Sequence, residues 1–96
     1  MTREDAKRKF AIALRAVRLH ENSGGALSPT GDIAPDIESW PLTRIGGEQP
    51  LRPIEWFELY FMCFNGAPNS IDPVEFDRGA STTVDDVLTL IQRAHS

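Results

Sequence analysis

The 96-residue sequence contains one cysteine and two histidines, and it has no uninterrupted apolar run of about 18 residues. A single cysteine excludes an internal disulfide bond and is compatible with a reducing cytoplasm. The absence of a long apolar run argues against a membrane-spanning helix. The N-terminus carries basic residues but no apolar segment with a small-residue cleavage site. We therefore expect a cytoplasmic protein without a secretory signal.

Residues that commonly carry chemistry are also scarce. His20 and His95 lie near opposite ends of the chain, and neither has a cysteine or histidine at metal-ligand spacing. Because a zinc site needs three or four protein ligands, we predict no metal. Cys63 lies inside an aromatic run and is expected in the core. Glu55 and Glu58 form an i,i+3 carboxylate pair, but solvated helix acids are far more common than catalytic ones. We predict no catalytic residue, no cofactor and no enzyme.

The net charge of −4 is unevenly distributed. Residues 1–20 carry six basic and two acidic side chains, whereas residues 21–96 carry four basic and twelve acidic ones. The acidic excess disfavours nucleic-acid binding and favours a protein partner with a basic surface. The alternative is a solvated surface that only promotes solubility.

The first predicted helix begins after Thr2, which suits the N-cap position. Its apolar residues recur at helical spacing, and they are Ala6, Phe10, Ala13, Leu14 and Val17. The helix is expected to end near residues 20–22, before Ser-Gly-Gly. A second apolar strip lies on nearly the opposite side and comprises Ile12, Ala16 and Leu19. We expect the next loop to cover this strip, and a partner is the alternative.

Residues 23–53 hold five of the seven prolines and five of the seven glycines. This composition predicts a long irregular loop rather than a long helix or strand. Its apolar residues are candidate anchors onto the body of the protein, and they are Ile33, Ile37, Trp40, Leu42 and Ile45. Residues 36–40 are expected to form one helical turn. We expect Trp40 to pack onto the bundle, whereas an exposed Trp40 would indicate a contact site.

The central predicted helix spans residues 53–64, between a proline suited to the first helical position and an Asn-Gly stop. Ile54, Phe57, Phe61 and Phe64 share one face, and Trp56, Tyr60 and Cys63 extend it. A helix that is apolar around most of its girth is expected to be covered on several sides. Glu55 and Glu58 mark the expected solvent-facing edge.

Two further helices are predicted towards the C-terminus. Asp72 before Pro73 resembles an N-cap and predicts a short helix over 73–77. The last helix is expected to run to about Ala94, after a capping box formed by Thr82 with Asp85 or by Thr83 with Asp86. Its apolar stripe comprises Val84, Val87, Leu88, Ile91 and Ala94. The predicted fold is all-α, a single domain over 1–96 built as a small three- to four-helix bundle.

Two short motifs resemble the acyl carrier protein family. Residues 54–59, Ile-Glu-Trp-Phe-Glu-Leu, resemble the start of that family's second helix, where Leu-Asp-x-apolar-Glu-Leu follows the Asp-Ser pair that bears phosphopantetheine. Residues 82–86, Thr-Thr-Val-Asp-Asp, resemble the Thr-x-Val-x-Asp start of its fourth helix. The resemblance covers about residues 50–94 and implies an acyl-carrier-like bundle.

The sequence departs from the family at the attachment site. Aligning Glu58-Leu59 with the family's Glu-Leu places Arg52-Pro53 where Asp-Ser is expected. Because proline has no hydroxyl, Pro53 cannot carry the phosphodiester. The chain therefore resembles a group of small bacterial carrier-like proteins that lack this serine.

These observations predict a non-enzymatic protein-interaction domain, a monomer or weak homodimer. The predicted partner-binding residues are Trp40, Arg52, Glu55, Glu58 and Tyr60. One alternative is an immunity protein or antitoxin-type inhibitor whose acidic surface binds a basic toxin or enzyme. Another is an active carrier that attaches phosphopantetheine at a different serine.

Overall fold

The computed structural model describes residues 1–17, 35–47, 50–69 and 82–96. Within these ranges the chain forms three α-helices, α1 (Arg3–Val17), α2 (Pro53–Phe64) and α3 (Val84–Ala94). Two 3-10 turns, Ile37–Ser39 and Leu42–Arg44, lie between α1 and α2. The described ranges hold no strand, only one isolated bridge between Pro41 and Thr83. The all-α prediction is confirmed for this part of the chain.

Several predictions lie outside the described residues. They concern the end of the first helix near residues 20–22, the histidine at position 20, the anchor Ile33 and the short helix over 73–77. Predictions for the whole loop 23–53 are therefore tested only over 35–47 and from residue 50 onwards.

Helix α1 begins and packs as its sequence predicts. The Thr2 Oγ1 accepts a hydrogen bond of 3.1 Å from the Asp5 backbone N–H, which confirms Thr2 as a side-chain cap. One stripe of α1 is buried, and it comprises Ala6, Phe10, Ala13 and Leu14. This stripe places α1 against both α2 and α3.

The second strip of α1 is not covered as expected. Ile12 is 55% exposed, and Ala16 is exposed as well. The helix buries only the face that carries Phe10 and Leu14, because α2 and α3 both pack on that side. The prediction of a covered strip is wrong for Ile12 and Ala16, while Leu19 lies outside the described residues.

Helix α3 has the most regular construction of the three. Thr83 accepts at its Oγ1 from the Asp86 N–H at 3.4 Å, and Asp86 Oδ2 accepts from the Thr83 N–H at 3.0 Å. This reciprocal pair is the predicted capping box. The predicted stripe is completely buried, and it comprises Val84, Val87, Leu88, Ile91 and Ala94.

Other described parts of the chain are fastened to α3 by polar contacts. Arg3 at the start of α1 forms an ion pair of 2.7 Å with Asp85 and donates to Gln92 at 2.9 Å. After α2, the Asn69 side chain donates to the Arg93 carbonyl at 3.0 Å, and its backbone N–H donates to the Ala94 carbonyl at 3.1 Å. These contacts join α3 to the start of α1 and to the segment that follows α2.

The described part of the predicted loop is anchored by buried side chains. Ile37, Trp40, Leu42 and Ile45 are all buried in the main core. The Leu42 N–H donates to the Thr82 carbonyl and the Val84 N–H donates to the Trp40 carbonyl, each at 2.9 Å. The predicted helical turn is present as the first 3-10 turn, and this segment is tied to the start of α3.

Candidate interaction surface

Helix α2 carries three large apolar side chains towards solvent. Ile54 is 57% exposed, Phe57 is 65% exposed and Phe61 is 55% exposed. They recur at positions i, i+3 and i+7 and therefore share one side of the helix. We call these three residues the aromatic face of α2. The helix itself spans the predicted residues and ends with Asn65 and a left-handed Gly66 at φ 76°.

The buried side of α2 lies opposite the aromatic face. It comprises Glu55, Leu59 and Cys63, which recur at a spacing of four residues. Partly buried Trp56 and Met62 pack beside this row against the main core. The expectation that α2 is covered on several sides is wrong for the side that carries Ile54, Phe57 and Phe61, because the core covers the opposite side and leaves the aromatic face outside.

Glu55 is buried for a local reason. Its Oε1 accepts a hydrogen bond of 2.9 Å from the Arg52 backbone N–H and one of 3.3 Å from the Arg52 Nε. The carboxylate thus satisfies backbone at the start of α2, where the helix dipole also favours negative charge. A complete capping box would also need the Arg52 side chain to accept a hydrogen bond from the Glu55 backbone N–H. A guanidinium has no acceptor, so the contact at the start of α2 comes from Glu55 alone. With Glu55 only 6% exposed, the prediction that it marks a solvent-facing edge is wrong.

Glu58 does lie at the surface, as predicted. It follows Ile54 by four residues and precedes Phe61 by three, so its side chain borders the aromatic face. No residue in the described ranges forms an ion pair with Glu58. By contrast, Glu55 is held by Arg52 and Asp85 by Arg3. Glu58 is therefore an exposed acid placed beside exposed apolar surface.

The remaining predicted partner-binding residues are divided between two places. Arg52 is exposed at the start of α2, and Tyr60 is half-buried with its ring centroid 5.1 Å from that of Phe64. Trp40 is 7% exposed and packs in the main core, which confirms that it is an anchor. The Arg44 guanidinium carbon lies 4.1 Å from the centre of the Trp40 ring. Burial leaves Trp40 and Glu55 little surface with which to meet a partner.

The sequence predicts that the three residues of the aromatic face share one side of α2, but it does not predict that this side faces solvent. The sequence gives Ile54, Phe57 and Phe61 one common side, and apolar residues are normally placed inside. Glu55 at the third helical position behind a proline signals the helix start. It does not give the direction of the buried side, because Asp86 makes the same contact at the start of α3 and is exposed.

The charge of the described ranges is balanced. They contain eight Lys/Arg and eight Asp/Glu side chains, so the net charge of −4 arises from residues 18–34, 48–49 and 70–81. Taken together, the described ranges therefore carry no net charge, and Glu58 is the exposed acid of α2.

Cys63 and His95 meet without forming a reactive pair. The His95 Nε2 lies 2.9 Å from the backbone carbonyl oxygen of Cys63, and because a carbonyl only accepts, this nitrogen carries the proton. Burial raises the pKa of the Cys63 thiol from 9.0 to about 12, and the charge of Lys9 lowers it by a smaller amount. A protonated buried thiol is a poor nucleophile. His95 instead joins the end of α3 to the end of α2.

The described ranges contain no group of three or more metal-ligating His, Cys, Asp or Glu side chains. Within the same ranges, no helix has the length and apolar character needed to cross a bilayer. No family model, curated protein or solved structure matches this chain.

Proposed function

We propose that this chain is a non-enzymatic protein-interaction domain that binds its partner through the aromatic face of α2. The observation that carries the proposal is the exposure of Ile54, Phe57 and Phe61 on one side of a single helix. Single exposed apolar residues are common on protein surfaces, but contiguous large ones mark interaction sites. Apolar anchors at i, i+3 and i+7 are also the pattern with which a helix binds in a partner's groove.

The energetics favour an external partner for this face. Covering one large apolar side chain contributes about 1.5–3 kcal/mol, and the three residues of the aromatic face are more than half exposed. Association costs several kcal/mol in lost motion, so three adjacent anchors are a reasonable minimum for specific binding. Phenylalanine also adds little conformational entropy cost when it is fixed in an interface.

Helix α2 can present these residues because its opposite side holds it in place. Leu59 and Cys63 are fully buried, and Glu55 secures the first turn. The His95 ring contacts the Cys63 carbonyl at the other end of the helix. The binding residues therefore stand on a rigid element, which reduces the ordering cost of binding.

We propose that the chain shares the architecture that acyl carrier proteins have but not their chemistry. Pro53 begins α2 at the position aligned with the attachment serine, and it offers no hydroxyl. We therefore propose a carrier-like adaptor that contacts other proteins beside the start of α2 and carries no phosphopantetheine. Treatment with a phosphopantetheinyl transferase is expected to leave the intact mass unchanged.

An inhibitor of a basic toxin or enzyme is the second candidate. It is favoured by the acidic excess in residues 18–34, 48–49 and 70–81, which together carry the entire net charge. An acidic inhibitor binds through charge and loses affinity steeply with salt. An adaptor that binds through the aromatic face retains most of its affinity when salt is added.

The test compares partner capture by three purified chains in an extract of the native host. The wild-type chain is compared with a Phe57→Ser/Phe61→Ser variant and with Ile12→Ser, which removes an exposed apolar side chain from α1. Captured proteins are identified, purified and titrated against each chain. We expect the double variant to bind at least about a hundredfold more weakly, since two anchors are lost, and Ile12→Ser to bind like the wild type. Equal binding by all three chains contradicts the proposal.

A further inference from the structure

We infer that the partner of the aromatic face presents a lysine or arginine opposite Glu58 at the edge of an apolar groove, and that Glu58 disfavours pairing between two copies of this chain. The inference rests on the proposed function and concerns the kind of partner. It begins from the position of one carboxylate beside three exposed apolar side chains.

A partner that covers the aromatic face must also contact the surroundings of the Glu58 carboxylate. The residue borders the aromatic face between Ile54 and Phe61, on the exposed side of α2. A groove that covers both neighbours also removes water from around Glu58. A carboxylate desolvated without a partner is costly, so the covering surface must supply a cation or leave the site uncovered.

A second copy that pairs symmetrically through the same face of α2 brings its own Glu58 to this edge rather than a cation. Dimers of identical chains are normally two-fold symmetric, so the same patch meets itself. An antiparallel pair of α2 helices that joins Phe57 to Phe61 of the other copy is centred next to Glu58, which brings the two Glu58 carboxylates towards each other. A parallel pair places the two Glu58 side chains on opposite flanks of the contact, where each one is desolvated against apolar residues of the other copy. Like charges in a partly dry interface oppose association.

Several cations of the described ranges are already engaged by acids of the same chain. Arg52, the residue before α2, is engaged through its Nε by Glu55 on the other side of the helix. Arg3 and Lys7 form ion pairs with Asp85 and Glu38 respectively. The aromatic face by itself would permit two copies to pair. Glu58 opposes that pairing and favours a partner that carries a basic residue.

The test measures association of purified chains by sedimentation velocity at low salt. The samples are wild type, Glu58→Gln, Glu58→Lys and an equimolar mixture of wild type with Glu58→Lys. In this mixture the Glu58→Lys chain serves as a probe that joins an apolar helix face to a basic residue. The control mixture contains wild type and Glu4→Lys, which changes an exposed acid on α1 and gives the same net charge.

We expect the wild type to self-associate at least about tenfold more weakly than Glu58→Gln. We expect the mixture of wild type with Glu58→Lys to associate at least about tenfold more tightly than the mixture with Glu4→Lys. Wild-type self-association as strong as that of Glu58→Gln overturns the inference, because a second copy is then an accepted occupant. Equal association in the two mixtures overturns it as well.

A second arm separates this inference from the proposed function. The captured partner is titrated against Glu58→Lys and against Phe57→Ser/Phe61→Ser. Loss of binding in both variants supports the inference. If binding requires Phe57 and Phe61 but is unchanged in Glu58→Lys, the inference fails and the proposed function stands. If binding is unchanged in both variants, the proposed function fails.

Discussion

Helices α2 and α3 are of similar length, yet they relate sequence to burial in opposite ways. In α3 the apolar residues form one narrow stripe, and every residue of that stripe is fully buried. In α2 apolar residues surround most of the helix, and the buried row contains a glutamate while two phenylalanines face solvent. The difference shows that periodicity gives the direction of burial only when the opposite face is polar.

Helix α2 is oriented by constraints other than mean hydropathy. Leu59 and Cys63 pack in the core shared with α1 and α3 at a spacing of four residues, and Glu55 lies one turn before Leu59 in the same row. Ile54, Phe57 and Phe61 then point outwards as a consequence. An apolar surplus that the fold does not use is available for a partner.

The largest expected effect contrasts one aliphatic residue from each helix. Leu88 of α3 is fully buried, so Leu88→Ala is expected to reduce the free energy of unfolding by about 2–5 kcal/mol. Ile54→Ala removes an exposed side chain from α2 and is expected to change it by less than about 0.5 kcal/mol. Urea unfolding measures both. Equal losses would remove the distinction between the two helices.

The two glutamates of α2 are also expected to differ in how much they contribute to the free energy of unfolding. Glu55→Ala leaves the Arg52 N–H without its acceptor and is expected to cost about 1–3 kcal/mol. Glu58→Ala, the matched control at an exposed position, is expected to cost less than about 0.5 kcal/mol. The two losses are compared through the urea midpoints of the variants, provided that the dependence of the free energy of unfolding on urea is unchanged. A costly Glu58→Ala with a neutral Glu55→Ala would reverse the assignment of the two faces.

The titration of Cys63 tests the buried side of α2 directly. Burial raises the pKa of its thiol from 9.0 to about 12, so the unfolded chain loses the proton first as pH rises. The contribution is fully present below about pH 9 and is lost as pH approaches about 12. From about pH 8 to about pH 10, wild type is expected to lose about 1.4 kcal/mol more stability than Cys63→Ala. A constant difference between the two chains would indicate a solvated thiol.

The smallest expected effect concerns the helix starts. Thr83→Ala removes a side-chain acceptor from the capping box of α3 and is expected to cost about 1 kcal/mol. Arg52→Ala keeps the backbone N–H that Glu55 accepts from, and it is expected to cost less than about 0.5 kcal/mol. Thermal unfolding of both variants checks the order. A larger loss for Arg52→Ala would mean that its guanidinium is the more important part of the α2 start.

The bounds of α2 and the whole of α3 could be predicted from sequence because local signals fix them. Pro53 begins α2, Asn65-Gly66 ends it, and the Thr83–Asp86 pair begins α3. These signals depend on a few neighbouring residues and on backbone geometry. Trp40 could likewise be predicted as an anchor, since a large aromatic in a proline-rich segment usually packs inwards.

The orientation of α2, and with it the candidate site, could not be predicted. Ile54 and Phe57 are as apolar as Leu59, so no hydropathy gradient selects the inner row. The choice depends on how Leu59 and Cys63 fit against the core formed with α1 and α3, which appears only after folding. Three of the predicted partner-binding residues, Glu55, Glu58 and Tyr60, lie on α2, but the apolar residues that form its exposed face were assigned to the core.

The most direct test of the central claim is the free energy of unfolding of the Phe57→Ser/Phe61→Ser variant relative to wild type, measured with urea. We expect a loss below about 1 kcal/mol, because neither ring is needed to hold the folded chain together. A loss above about 4 kcal/mol, the magnitude expected for truncating buried phenylalanines, would show that the rings belong to the core of this chain. That result would contradict the assignment of the aromatic face as a binding surface.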